Sequence, residues 1–322
     1  NLEATLRGAL AAPTDHDAFV VRAESGPLLG GVVRQSDQGS LNVKAMRVRG
    51  ADRTSYAVAR QLAFLQREKA ASTGVALVQV TDPHLPQQVR YALAEEGYEW
   101  DGHRWTCHVD TGVTTAGDAE LSGLDEGMSE TAAAAKAEHE RWPLKVVGAG
   151  LPTFVVPIRP QWAEQLFDSN LAAGTLFGRD AGLGLSREHV YYRRPRNSGG
   201  AVAPARLLWY VSGRWNGQPE GSIRAVSALA EAIEDRPLTV FRRFERLGVY
   251  NEAQVKDAAD DRGRVMAMRF IDTELFDKPI PLSCVREMCA RRGESFVAPM
   301  SPRRIDEELF VAIYEEASAY AR

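Results

Sequence analysis

Leu41-Asn42-Val43-Lys44-Ala45-Met46-Arg47-Val48-Arg49-Gly50-Ala51-Asp52-Arg53-Thr54-Ser55 starts as an apolar run crossed by cations and ends in small, polar, helix-starting residues. Leu41 to Val48 fits a strand, and Asp52 or Thr54 supplies the side-chain acceptor that an α-helix needs at its N-cap. A helix from Thr54 to Ala71, closed by Gly74, is the expected continuation. A strand that passes into a helix this quickly marks a mixed α/β unit, and its neighbours complete it. Upstream, Ser25-Gly26-Pro27 separates two β-rich runs, Ala18 to Ala23 and Leu28 to Arg34, as a hairpin would. Before them, Leu2, Leu6 and Leu10 recur at helical spacing over Asn1 to Ala12. Downstream come a buried-type strand, Val75 to Val80, a helix from Pro86 to Glu96 ended by Gly97, and a strand from Trp105 to Val109.

From Thr111 to about Arg141 the composition turns to Gly, Ala, Thr, Ser and acids, with Ala132 to Ala135 its one helical-looking piece. We expect a first domain over 1–110, a linker over 111–150 anchored at Trp142-Pro143-Leu144, and a second domain over 151–322. The second domain opens with a strand, Phe154 to Ile158, and a helix, Gln161 to Phe167. A Gly- and Leu-rich loop, Gly174 to Leu185, leads to the run His189 to Arg194. A strand at Ala205 to Val211, a turn at Gly213 to Gly221 and a strand from Ser222 to Ile233 follow. Helices at Leu238 to Phe244 and Glu252 to Ala259, a strand from Arg264 to Phe270, and helices at Leu282 to Arg291 and Pro302 to Ala321 complete it.

The 322 residues suit two cores better than one. With 44% hydrophobic and 25% charged residues the composition is that of a folded globular chain. No run approaches the ~18 apolar residues of a membrane span, and no signal pattern opens the sequence, so a soluble cytoplasmic protein without membrane contact is expected. Cys107, Cys284 and Cys289 form no CxxC pair, which excludes a disulfide framework and a structural zinc site from the expectation. Cys284 and Cys289 are expected to pack on one short helix.

The net charge of −4 is uneven: residues 1–150 hold 15 Lys/Arg against 20 Asp/Glu, and residues 151–322 hold 24 against 23. Of those 24 cations 22 are Arg, whose planar fork suits phosphates and base edges, although Ala- and Arg-rich composition also has a purely genomic origin.

The hairpin, strand, helix, strand, helix, strand order over 18–110, with Leu41 to Gly50 as a splayed strand and Gly97-Tyr98 entering a late one, resembles the core of the GNAT acyltransferase family. The family's first strand has no counterpart, which places a native N-terminus upstream of Asn1 as an expectation. The resemblance implies a Gln/Arg-x-x-Gly-x-Gly/Ala turn whose backbone N–H groups hold the pyrophosphate of acetyl-CoA at a helix N-terminus. Val48, Arg49, Arg53, Thr54 and Ser55 would form that acetyl-CoA site. The sequence departs from the pattern: one Gly of the turn is present, Asp52 brings a negative charge to the phosphate position, and Leu93 stands where the family carries a general-acid Tyr. Tyr91 lies about 200° away around the helix.

Pro157-Ile158-Arg159-Pro160-Gln161-Trp162-Ala163, Leu207-Leu208-Trp209-Tyr210-Val211-Ser212 and Met266-Ala267-Met268-Arg269-Phe270 together resemble the ASCH branch of PUA-like domains, over most of 151–290. That resemblance implies a small β-barrel whose cleft binds RNA or modified bases. Such a cleft needs aromatic faces and cations. Arg187, His189, Tyr191, Tyr192, Arg193, Arg194 and Arg196 supply both within ten residues, and Tyr191 and Arg193 share one strand face. Trp209 and Tyr210 are further candidates, with Trp215, Arg242, Arg243, Phe244 and Arg246 behind them. The alternative is that the tyrosines pack in the core and the arginines are solvated. Some ASCH proteins hydrolyse acetylated nucleosides with a Lys/Thr/Glu set, but the only lysines of the second domain, Lys256 and Lys278, lie far from that position. Glu188 and His189 are left as acid-base candidates, His189 reading better as a strand residue.

The sequence therefore predicts an α+β chain: a GNAT-like mixed sheet with flanking helices, then a PUA-like β-barrel with helices. RNA or modified nucleic acid is the expected partner. An N-acyltransferase using acetyl-CoA and targeted by its second domain, and a pure interaction module, are the rival readings.

Overall fold

The computed structural model describes residues 16–22, 26–37, 39–119, 121, 127–167, 186–195, 199–213 and 221–321. The expected helix at Asn1 to Ala12, the loop Gly174 to Leu185, most of the turn before Gly221, Arg196 and Trp215 lie outside them. The chain forms two compact units, one of residues 1–112 with 136–145, the other of 113–135 with 146–322.

The first unit holds β1 (His16–Arg22), β2 (Leu28–Asp37), β3 (Ser40–Val48), α1 (Arg53–Ser72), β4 (Leu77–Val80), α2 (Gln87–Glu95), β5 (Glu99–Trp100) and β6 (Trp105–His108). Its sheet runs β1-β2-β3-β4-β6-β5. All neighbours are antiparallel except β3 and β4, which pair in parallel from Ser40↔Leu77 to Val43↔Val80. β3 continues to Val48 without that partner, so the two strands part beyond Val43. On α1 the buried residues Val58, Ala59, Leu62, Ala63, Gln66, Arg67 and Ala70 recur at i, i+4 and i+8, one helical face laid on the sheet. A Cβ on Gly30 would stand 2.7 Å from Val58 Cγ1, so only glycine lets helix and strand come this close. Arg67 is fully buried and donates to the carbonyls of Glu96 (2.6 Å) and His139 (2.5 Å).

Residues 111–150, expected as a linker, contain β7 (Val113–Thr115), α3 (Glu130–Glu140) and β8 (Lys145–Val147). The helix is longer than the four alanines suggested, because Ser129 and the residues after them extend it.

The second unit continues with β9 (Thr153–Ile158), α4 (Pro160–Leu166), β10 (Glu188–Arg193), β11 (Ala205–Val211), β12 (Ser222–Asp235), α5 (Pro237–Phe244), α6 (Glu252–Asp257), β13 (Val265–Pro281), α7 (Leu282–Arg291), β14 (Arg303–Ile305) and α8 (Glu307–Ala317). The sheet order is β10-β13-β12-β11-β9-β14, with β9 and β11 parallel and the rest antiparallel. Three register shifts along β12 and β13 bend the ladder. All seven residues of β11 are buried, because alternate side chains enter two different cores. Leu207, Trp209 and Val211 pack with Phe154, Val156, Ile158 and Phe270, while Leu208 and Tyr210 pack with Val155, Ile223, Phe310 and Tyr314.

Two expectations need correction. β13 runs to Pro281 rather than ending at Phe270: Pro279 falls where the pairing with β12 is irregular, and Pro281, opposite Ser222, is the last residue of the strand. The last helix begins at Glu307, not Pro302: Asp306 is its N-cap, accepting from Leu309 N at 2.8 Å, and Arg303–Ile305 instead pairs with β9. Cys284 and Cys289 do share α7, and all three cysteines are free. Among the described residues no helix is long and apolar enough to cross a membrane.

Candidate nucleic-acid interface

β10 positions the first part of the site by simple alternation. Val190 and Tyr192 face a small cluster with Val240, Phe244, Val255 and Val265, whereas Tyr191 enters the core that contains Trp209. Arg193, two residues on, shares the face of Tyr191, as the strand period requires. α4 supplies the second part: Pro160 at its first position starts the helix and sets Arg159 and Trp162 beside the end of β9. The third part is Tyr250. The Val190 N–H donates to the Leu247 carbonyl at 2.8 Å, tying this turn to β10. Asn251 and Gln254 then form a capping box at the start of α6, fixing the backbone that follows Tyr250.

These parts converge. Trp162 and Tyr250, both half-buried, stack with ring centroids 4.3 Å apart and planes 23° from parallel. Tyr191 meets Tyr250 edge-on at 6.1 Å and Trp209 at 5.7 Å, and Tyr192 meets Tyr250 at 5.5 Å. Burial raises the Tyr191 phenol above its ordinary pKa, against the nearby Arg193 charge and a hydrogen bond with Tyr250. Burial also drives Tyr250 far upward, so both phenols are neutral hydrogen-bonding groups at neutral pH. Desolvation pushes the Arg193 pKa down while the two tyrosines oppose it, and a guanidinium in this setting still carries its charge. Arg193 Nε is buried with no hydrogen-bond partner among the described residues.

Several other inward-facing arginines have a carboxylate, Arg47 with Asp82, Arg60 with Glu96, Arg187 with Asp272 and Arg269 with Glu188, while fully buried Arg67 is held by backbone carbonyls. Among the described residues no carboxylate pairs with Arg159, Arg193 or Arg194. Aromatic faces, phenol groups and unneutralised guanidinium groups therefore lie together at one edge of the unit.

The other residues singled out from sequence take different places. Arg187 is half-buried and ion-paired to Asp272 at 3.5 Å, and His189 is buried, tilted against Phe270 at 5.7 Å. Glu188 is tied to Arg269 at 2.9 Å, which removes it as an available base. Tyr192 is 2% exposed, and burial raises its phenol, whose oxygen has no protein partner among the described residues. Trp209 is wholly buried, its Nε1 donating to Ser227 Oγ at 2.8 Å, and Tyr210 enters the opposite core. Both are core residues because β11 is covered on its two faces. Phe244 is core as well. Arg243 pairs with Glu231, while Arg194, Arg242 and Arg246 are exposed. Trp162, Tyr250 and Arg159 were not among the expected site residues. A lone Tyr between two helices gives no sequence signal, and Arg159 and Trp162 stood only in the Pro157–Ala163 stretch that carries the ASCH resemblance.

The residues expected to hold acetyl-CoA surround the start of α1. Asp52 is the N-cap, its Oδ1 accepting from Ser55 N at 2.9 Å and standing 2.7 Å from Ser55 Oγ, which also lies 2.6 Å from the Arg49 carbonyl. Hydrogen bonds from Ser55 hold the Asp52 carboxyl below its ordinary pKa. Where β3 and β4 part, Asp82 fills the gap: it accepts from Met46 N (3.0 Å), His84 N (2.9 Å) and both terminal nitrogens of Arg47. Burial would raise the Asp82 pKa, but the Arg47, Met46 and His84 hydrogen bonds prevail and lower it. Leu93 is fully buried in the α2 face, so no acidic side chain takes the place of the family's tyrosine. These residues do not fit an acyl-CoA. Among the described residues no cluster of His, Cys, Asp and Glu could hold a metal ion.

No family model matches the chain, and no curated protein does. Among solved structures the chain is similar to ASCH from Zymomonas mobilis, at 18% identity over 52% of this chain and 96% of that one, with a TM-score of 0.38. It is similar to an acetyltransferase from Bacillus cereus, at 15% identity over 33% and 90%, TM-score 0.24. The N-terminal domain of McrB from Staphylothermus marinus matches at 11% identity over 51% and 93%, TM-score 0.33. Likenesses of this size carry no residue-level argument. The α+β architecture stands on the two strand orders, and the solved structures similar to the chain include ASCH and acetyltransferase structures, the two families that its sequence resembles.

Proposed function

We propose that the second unit binds single-stranded RNA, or nucleic acid carrying a modified base, at the edge formed by Arg159, Trp162, Tyr191, Arg193 and Tyr250. The observation that carries this reading is the half-buried Trp162–Tyr250 stack beside guanidinium groups with no carboxylate of their own. A base is a flat, polarisable disc with an anionic tether, and unpaired bases are bound by stacking on aromatic faces while arginines meet the backbone. Trp162 offers the face, the phenols offer hydrogen bonds to a base edge, and Arg159 and Arg193 offer charge. Duplex nucleic acid, with its bases already stacked, would use the arginines alone.

The test is fluorescence anisotropy of a labelled single-stranded RNA with the full chain and with Trp162→Ala. Base–aromatic stacking is worth about 1–3 kcal/mol, so the variant should weaken binding roughly 5- to 150-fold. Wild-type chain that binds neither RNA nor single-stranded DNA, or a variant that binds as well as wild type, would sink the proposal.

A further inference from the structure

The resemblance of the first unit to acyltransferases implies an acyl-CoA, and the side chains present oppose one at two separate places. The turn pattern Gln/Arg-x-x-Gly-x-Gly/Ala corresponds here to Arg47-Val48-Arg49-Gly50-Ala51-Asp52. Its opening cation and first glycine are present, and Gly50 keeps the positive φ of 86° that such a turn uses. Its last position, which the pattern keeps small, is an aspartate. That aspartate is bonded to the helix's own N–H at Ser55, so the dipole end that attracts an anion already holds one. The second place is the gap between β3 and β4. A carboxylate from Asp82, with a side chain only 2% exposed, takes the Met46 N–H that the parting of the strands leaves open and binds the Arg47 guanidinium at both ends.

We infer that the first unit is closed to acyl-CoA by its own carboxylates, Asp52 standing in for the ligand's phosphate and Asp82 withholding Arg47 and the strand gap. The scaffold keeps the turn and the parted strands, and the chain's own anions supply the charge complement. A simple loss of the site by drift predicts scattered substitutions. Here both acids are hydrogen-bonded into the positions they block, each by two or more donors. On this account the first unit contributes no acyl transfer, and the inference is independent of the RNA reading, which concerns the second unit.

The experiment is calorimetric titration of acetyl-CoA into the full chain, into Asp52→Gly and into Asp52→Gly/Asp82→Asn. Gly completes the turn pattern and is tolerated at an N-cap, and Asn keeps the shape of Asp82 while removing its charge. A cooperative thermal transition of each protein checks folding, and RNA binding followed in parallel reports on the second unit separately. Wild type should give no saturable heat up to about 1 mM, and the double variant should gain affinity at least tenfold over it. Saturable binding by wild type overturns the inference. So does a folded double variant that still fails to bind, because the carboxylates would then not be the block.

Discussion

Replacing Trp209 with alanine tests the partition between core and interface. The indole is 0% exposed, with Phe270 at 4.7 Å, Phe167 at 5.4 Å and Tyr191 at 5.7 Å, centroid to centroid. Its Nε1 also bonds Ser227 Oγ, which keeps a second contact to Thr273 Oγ1 at 2.8 Å, so Ser227 is not orphaned by the change. Trp to Ala in a closed core costs about 3–5 kcal/mol from lost transfer and the cavity left behind. For a unit near 200 residues each kcal/mol moves the midpoint by about 2–4 °C, so the transition of the second unit should fall by about 6–20 °C. Circular dichroism melting measures it. A fall under about 3 °C together with a large loss of RNA affinity would refute the placement and return Trp209 to the interface. Trp162→Ala is the converse: half-exposed, it forfeits the stack on Tyr250, about 0.5–1.5 kcal/mol, and should lose binding with little loss of stability.

Two further outcomes follow from the first unit. Gly97→Ala should destabilise it by at least ~1 kcal/mol, since φ is +80° and the new Cβ would lie 2.9 Å from Glu140 Cα; an unchanged urea midpoint would contradict the geometry. Asp82 has a folded pKa below its unfolded value, so its contribution is present above roughly pH 4 and is lost as the pH falls through the folded pKa. Urea denaturation of Asp82→Asn should therefore show a shallower loss of stability on acidification than wild type, and parallel curves would count against the Asp82–Arg47 strap.

Much of the fold was legible because its elements announce themselves locally. α1 repeats its apolar face for five turns, and the strands around it alternate or run apolar between Gly and Pro punctuation, so β2, β3, α1, α2 and β6 lie within a few residues of expectation. β5 was signalled only by the Gly97-Tyr98 step before it, because two exposed residues held only by β6 carry no period. The second half of β13 was missed because prolines signal a break, and only the partner strand shows that Pro279 sits at a pairing irregularity and Pro281 at the strand's end. The site was less legible for a related reason. Tyr191 and Arg193 were singled out from strand alternation, but Trp209 and Tyr210 carry the same composition as a stacking surface and differ in being covered on both sides, which depends on tertiary packing. Tyr250 reaches the site from a turn nearly sixty residues beyond β10 in sequence, with nothing nearby to mark it.

The central claim is that Arg159 and Arg193 meet the nucleic-acid backbone beside an aromatic platform. The direct test is the salt dependence of single-stranded RNA affinity for wild type and for Arg159→Gln/Arg193→Gln. Each phosphate contact on a single strand contributes about 0.7 to the slope of log K against log salt, so losing two should reduce the slope by about 1.4 and weaken binding at low salt. An unchanged slope with unchanged affinity would contradict the account, because the backbone would then be held elsewhere on the chain.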